Sequence, residues 1–305
     1  MKTSPPPVAP DTGAALKWWN LGSTLACQEG GLIRWQHHHR RDGTLPAFHP
    51  LSLADGVEMT WMAPPDHPWH RGLWFAWKYI NGLNFWNEDR ATGVFDGRVQ
   101  IQSHQATPAD DHSANLALTL RYMDGRDVAL MTEDRRLFMS PLDAREDYFI
   151  NWTSSFTAAT PVELEREIPP HLPNGTRYGG YAGLAYRPTP QATDWVLTDS
   201  EGRRDLAIHG QRARWLDISF RNRLTNRTSG ITLLDHPGNP GSPTPWYVLL
   251  ETEKNVIKGG AALLYEQGLR LNAGDGLVLR YRILVHHGAA DVDRIEPHWR
   301  ALAAL

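Results

Sequence analysis

The chain has 305 residues, 41% of them apolar, which is enough to bury a sizeable core and somewhat long for one average domain. Its 31 basic and 34 acidic residues are interspersed without a long run of either sign, which argues against nucleic acid or an anionic membrane as partner and favours a neutral or weakly charged ligand. No stretch approaches the roughly 20 apolar residues that cross a bilayer, so a soluble, cytoplasmic protein with no membrane partner is expected.

In chain order, residues 1–19 are rich in proline and read as a flexible N-terminus, with a single domain over residues 20–305. The lone cysteine, Cys27, excludes an internal disulfide and reads as a small buried side chain. "HHH" at 37–39 runs into the polar turn "RRDG" and reads as the solvated end of a hairpin. "LWFAWKYI" at 73–80 is apolar on both faces, as in a strand sandwiched between layers. "HLPNGTRYGGYAG" and "DHPGNPGSPTP" are loops by their proline and glycine content. "WYVLLETEKNV" alternates, with Tyr247, Leu249, Glu251 and Glu253 on one side. "LNAGDG" reads as a hairpin turn into "GLVLRYRILVHHG", where Leu277, Leu279, Tyr281, Ile283 and Val285 share one face. "DVDRIEPHWRALAAL" reads as a short C-terminal helix. Period-two patterns dominate throughout, so the predicted fold is all-β: one large twisted antiparallel β-sandwich with few short helices.

Chemistry-bearing residues gather around a repeated tripeptide, Asp-His-Pro, in "PPDHPWHRG" and again in "LLDHPGNPG". The proline removes a backbone donor and keeps the preceding residue out of helical space, which puts His67 and His236 in turns or extended loops. Histidine titrates near neutrality and can give or take a proton, so His67, His70 and His236 are the candidate acid and base, with Asp235 or Glu251 as the partner carboxylate. Arg71 and Arg282 offer planar forks for polar substituents, and His49 and Asn81 are further candidate contacts. Of the 13 tryptophans, Trp77, Trp86 and Trp246 lie beside polar loops and suit the C–H faces of a sugar ring. His67 and His70 carry no ligand spacing of the strong kind, so no metal is expected, although a site on His49, His67 and His70 is the weaker alternative. There is no P-loop, no dinucleotide fingerprint and no nucleophile elbow, and no cofactor is expected.

The blocks "FHPL", "DHPWHRGLWFAW", "GGYAGLAYR", "DHPGNPGSPTPWYV" and "LRYRILVHHG" resemble, in this order, the bacterial PmoA-like family, a domain of unknown function often labelled "methane oxygenase". A methane monooxygenase subunit is an integral membrane protein, so that label does not fit a chain without an apolar span. The resemblance implies a supersandwich similar to galactose mutarotase, in which a histidine acid and a glutamate base on the concave sheet open and close a sugar ring. The combined expectation is a carbohydrate-active enzyme, mutarotase- or epimerase-like or glycoside-cleaving, acting on a sugar that could be oxidised or a keto sugar. A non-catalytic carbohydrate-binding protein is the alternative. The two Asp-His-Pro turns are expected at one end of the sandwich, with His67 or His70 close to Asp235 or His236.

Overall fold

The structure is a computed structural model and describes residues 16–40, 44–88, 92 and 94–305. Its strands in chain order are β1 (Lys17–Asn20), β2 (Thr24–Glu29), β3 (Leu32–His38), β4 (Ala47–Leu51), β5 (Leu73–Ala76), β6 (Tyr79–Ile80), β7 (Leu83–Asn84), β8 (Arg98–Pro108), β9 (Ala114–Met123) and β10 (Ala129–Met139). They continue with β11 (Tyr148–Ala158), β12 (Val162–Glu165), β13 (Gly183–Tyr186), β14 (Ala192–Asp199), β15 (Trp215–Asn222), β16 (Thr228–Asp235), β17 (Trp246–Glu251), β18 (Val256–Ala261), β19 (Leu269–Leu271) and β20 (Gly276–His287). A single α-helix among the described residues, α1 (Val292–Ala303), follows.

The fold is all-β, as the period-two patterns imply, and every ladder between these strands is antiparallel. One sheet runs β1-β2-β3-β4-β5-β13-β18-β17, the other β14-β15-β16-β20-β11-β10-β9-β8, and a small third sheet runs β19-β12-β6-β7. The core lies between the two large sheets, where Phe75 and Trp77 meet Phe156 and Phe48 meets Trp152. The alternation along β20 holds residue by residue: Leu277, Leu279, Tyr281, Ile283 and Val285 all enter that core. On the opposite face Leu284 packs under α1 with Trp215, Leu234, Ile295 and Leu302.

Three local expectations are corrected. His37 and His39 are fully buried rather than solvated, because β3 carries His37 into the interior against Phe48 and His39; Arg41, Asp42 and Gly43 of the following turn lie outside the described residues. The turn before β20 forms, with the Asp275 side chain accepting from the Asn272 backbone, but β19 pairs with β12 and not β20, so it joins two sheets and is not a hairpin. The N-terminal segment is ordered earlier than residue 20, since Lys17–Asn20 pairs with β2, while residues 1–15 lie outside the described residues.

Strand directions also separate the two Asp-His-Pro turns. The first leads into Leu73, which pairs with Tyr186, and Tyr186 pairs with Gly259, which pairs with Val248. The second leads into Trp246, at the opposite end of β17 from Glu251, the end that faces the β5 entry. The expectation of one shared end is therefore overturned by the alternation of strand direction along β5-β13-β18-β17.

Candidate functional site

Because β17 and β18 alternate, Val248, Ile257 and Trp246 enter the core, while Tyr247, Leu249, Val256 and Lys258 face outward. Over that outer face fold the turn before β5 and the long β12–β13 loop. Together they enclose a cleft of about 410 Å³ lined by His67, Glu167, Arg177, Tyr178, Tyr181, Tyr247 and Glu251 among others.

His67 is the sequence candidate that reaches this cleft as an oriented acid–base group. Its turn is closed by backbone bonds from His67 N–H to Pro64 O and from His70 N–H to His67 O. Its Nδ1 lies 2.7 Å from Asp66 Oδ2, and Asp66 accepts from the buried Arg187 at 2.9 Å. His67 Nε2 has no hydrogen-bond partner among the described residues. Burial lowers the His67 pKa from the usual imidazole value against the opposing pull of Asp66, which leaves a neutral ring ready to take a proton at neutral pH. His70 stacks on His67 at 4.6 Å but is buried, with Nδ1 unpartnered among the described residues, and burial together with the Lys258 charge holds its pKa well below the ordinary value. It supports His67 from beneath rather than lining the cleft.

Lys258 was not singled out by the sequence, and it lies behind the cleft wall, against the rings of the lining residues Tyr181 and Tyr247. It is 2% exposed, and its Nζ lies 4.2 Å from the Trp86 ring, 4.2 Å from Tyr181 and 4.3 Å from Tyr247. A second lysine, Lys78, lies 3.5 Å from Glu167 and donates to Asn87. Glu167 also accepts from Tyr79 at 3.4 Å and lies 3.5 Å from the Tyr181 hydroxyl. The one signal for Lys258 in the sequence is a charge within the otherwise apolar, glycine-rich strand "VIKGGA". For the tyrosines there was none, since loop position and not pattern brings Tyr178 and Tyr181 over β17.

The remaining sequence candidates divide. Trp86 is buried in the core and does not line the cleft, but its ring is tilted against the lining residue Tyr181 at 4.9 Å. Glu251 lines the cleft and pairs with Lys254 at 3.0 Å. Arg71 is committed beside it, donating to Pro68 O and to Glu88, both at 2.7 Å. His49, on β4, bonds Thr60 at 2.9 Å. Asn81 is a positive-φ turn residue whose side chain caps the third sheet through Pro161 O and Glu163 N.

Five candidates are placed elsewhere by the structure. Trp77 and Trp246 are fully buried on the core faces of their strands, so neither can wall a cleft on the outer face. Arg282 lies on the far sheet against α1, bonded to Asn151 and His298 O with Phe149 under its guanidinium. Asp235 accepts from Asn239, Ser242 and the Thr244 backbone, and His236 Nδ1 accepts from Gly238 N–H, so both hold their own loop. Among the described residues there is no group of three or more His, Cys, Asp or Glu placed to hold a metal ion. No helix among them is long and apolar enough to cross a membrane.

The fold and the cleft thus define an all-β protein with a tyrosine-walled, charged cleft on the outer face of one large sheet. The chain belongs to a family of unknown function, DUF6807, whose model matches residues 24–300. No curated protein matches it. Among solved structures it is similar to the galactosidase domain of an α-galactosidase–sucrose kinase, at 12% identity and a TM-score of 0.43, over 91% of this chain and 41% of that one. It is also similar to a galactose mutarotase related enzyme from Lactobacillus acidophilus, at 9% identity and a TM-score of 0.40, over 90% and 98% of the two chains. A polysaccharide lyase matches at 9% identity and a TM-score of 0.30, over 90% of this chain and 33% of the lyase. This chain thus spans well under half the length of the galactosidase and the lyase.

Proposed function

We propose that the chain is a carbohydrate-active enzyme whose cleft takes a single sugar ring and moves a proton on it through His67. The observation that carries this reading is the Asp66–His67 pair: a neutral imidazole fixed through Nδ1, with no protein partner on Nε2 among the described residues, at a cleft that also presents carboxylates. A module that only binds would bond its histidines to backbone and keep its carboxylates outside. Here His67 bonds a carboxylate side chain, and Glu167 and Glu251 line the cleft. Tyr178, Tyr181 and Tyr247 supply the aromatic faces that suit sugar C–H groups. Opening a sugar ring or cleaving a glycoside needs an acid at one oxygen and a base at another, roles for which His67 and Glu167 or Glu251 stand on different walls.

The test is a panel of monosaccharides, uronates and 3-keto-glycosides, followed by calorimetry for binding and by NMR for anomer exchange, epimerisation or cleavage. Turnover of at least one sugar, lost in His67→Ala with binding retained and unchanged in His236→Ala, is expected. Binding without turnover in the wild type would make the protein a binding module, and no interaction with any member would end the sugar reading.

A further inference from the structure

We infer that the sugar bound in this cleft carries a carboxylate, for which Lys258 beneath the tyrosines and Arg177 at the rim are the counter-charges. This deepens the reading of the cleft as a sugar site and depends on it.

The inference starts from which charges around the cleft are already matched. Asp66 is held by Arg187 and His67, Glu167 faces Lys78, and Glu251 faces Lys254. Lys258 and Arg177 are left over. Lys258 makes no hydrogen bond or ion pair among the described residues, and its amine meets only the faces of Trp86, Tyr181 and Tyr247. Arg177 is exposed at the cleft with its guanidinium over the Tyr178 ring at 5.0 Å and no carboxylate in ion-pair reach among the described residues.

A buried amine without a counter-ion is rarely kept unless something supplies one. The groups that face Lys258 from every side do not. Lys78 follows β5 and Arg187 follows β13, both cationic, His70 and His67 come from the turn before β5, and Tyr181 and Tyr247 offer only rings. A neutral sugar would leave the excess in place, whereas an anionic substituent would match it in a region where low dielectric strengthens the attraction. A carboxylate suits the planar fork of Arg177 better than a lone hydroxyl does. The cleft, at about 410 Å³, has room for one acidic monosaccharide.

The pairing also predicts proton linkage. Burial first, and then the Lys78 and Arg187 charges, hold the Lys258 amine well below the usual lysine range. An arriving anion favours the charged amine, so binding at alkaline pH takes up a proton.

The experiment is calorimetry of the full chain with D-glucuronate, D-glucose and D-glucose 6-phosphate, at about pH 8 in two buffers of different ionisation heat. Wild type, Lys258→Met and Arg177→Gln are compared, with circular dichroism to show that each is folded. Arg177 is exposed, so its variant keeps the question answerable if the Lys258 variant misfolds. Glucuronate is expected to bind at least about tenfold more tightly than glucose, with proton uptake, and both variants are expected to lose most of that preference. Proton uptake should vanish in Lys258→Met alone. Equal affinity for glucose and glucuronate, with His67→Ala still blocking turnover, overturns the acidic substrate and leaves the sugar enzyme standing. Tighter binding of the phosphate sugar overturns the carboxylate assignment. If none of the three binds, the inference fails together with the sugar reading.

Discussion

Lys258 occupies a position where the balance of forces can be read from a single substitution. Taking an ammonium out of water costs several kcal/mol, whereas each cation–π contact returns about 0.5–2 kcal/mol, so the three rings at 4.2–4.3 Å only partly offset the burial. Lys258→Met keeps the stem and removes the amine. It is expected to raise the melting temperature, by roughly 2–4 °C for each kcal/mol recovered, in the absence of ligand. A thermal melt that drops by a similar amount would show the caged ammonium to be a stabilising element. Cys27 gives a second residue-scale expectation: burial pushes its thiol up to about 12, so it should resist alkylation in the folded protein and react on denaturation, as mass spectrometry would report. Much of this scale was open to the sequence through alternation alone. Counting along "LWFAWKYI" puts Phe75 and Trp77 on one face and Trp74 on the other, and along "WYVLLE" separates Trp246 from Tyr247. Trp77 and Trp246 lie near polar loops in sequence, but strand parity sends both inward.

At the scale of elements, the repeated Asp-His-Pro is one turn solution serving two purposes. In the first copy the aspartate looks outward to Arg187 and to His67, and the histidine is thereby presented to the cleft. In the second the aspartate looks back into its own loop, and residues 236–245 hang from it through Asn239, Ser242 and Thr244. Arg212 clamps the same loop through the carbonyls of Gly241 and Pro243. Asp235→Ala leaves three donors without their acceptor and is expected to cost about 3 kcal/mol or more, at roughly 1–3 kcal/mol per unsatisfied group. Asp235→Asn keeps one acceptor oxygen and removes a charge whose pKa burial raises to about 6, so it should cost clearly less. Urea titration of the two variants decides this, and equal losses would show that the carboxylate does not organise the loop. The sequence revealed that both copies were turns, because proline dictates it. Which end each occupied depended on pairing partners more than a hundred residues apart, and no local pattern encodes those.

Across the whole molecule, the all-β class was legible because alternation survives in β9, β10, β11 and β12, and because short runs apolar on both faces, such as β5, suit strands buried between layers. Strand order was not, and neither was the interior polar network in which Glu133 accepts from Arg135, Tyr122 and Ser154, with Arg135 beside the buried His37. That interior makes a prediction about acid. His37, His38, His39, His49 and His70 all have pKa values lowered chiefly by burial, with His39 and His49 at about 4. A lowered imidazole pKa means that the unfolded chain binds protons first, so the stability is fully present above the usual 6.5 and is lost as pH falls from there toward the folded values. Each such group contributes a slope of up to about 1.4 kcal/mol per pH unit within that window. Asp235 and Glu58 act in the opposite sense, since burial raises both carboxyl pKa values and so stabilises the fold as pH falls, for Asp235 from about 6 toward 3.8, but they are two groups against these five histidines and four more that burial lowers, His67, His209, His236 and His298. The melting temperature should therefore fall steeply between about pH 6.5 and pH 4, and His39→Phe, which cannot be protonated, should flatten the slope even if it lowers stability at neutral pH. A melting temperature that stays level across that interval would mean that His37 and His39 are already charged in the folded protein, and the account of a neutral histidine core would have to be abandoned.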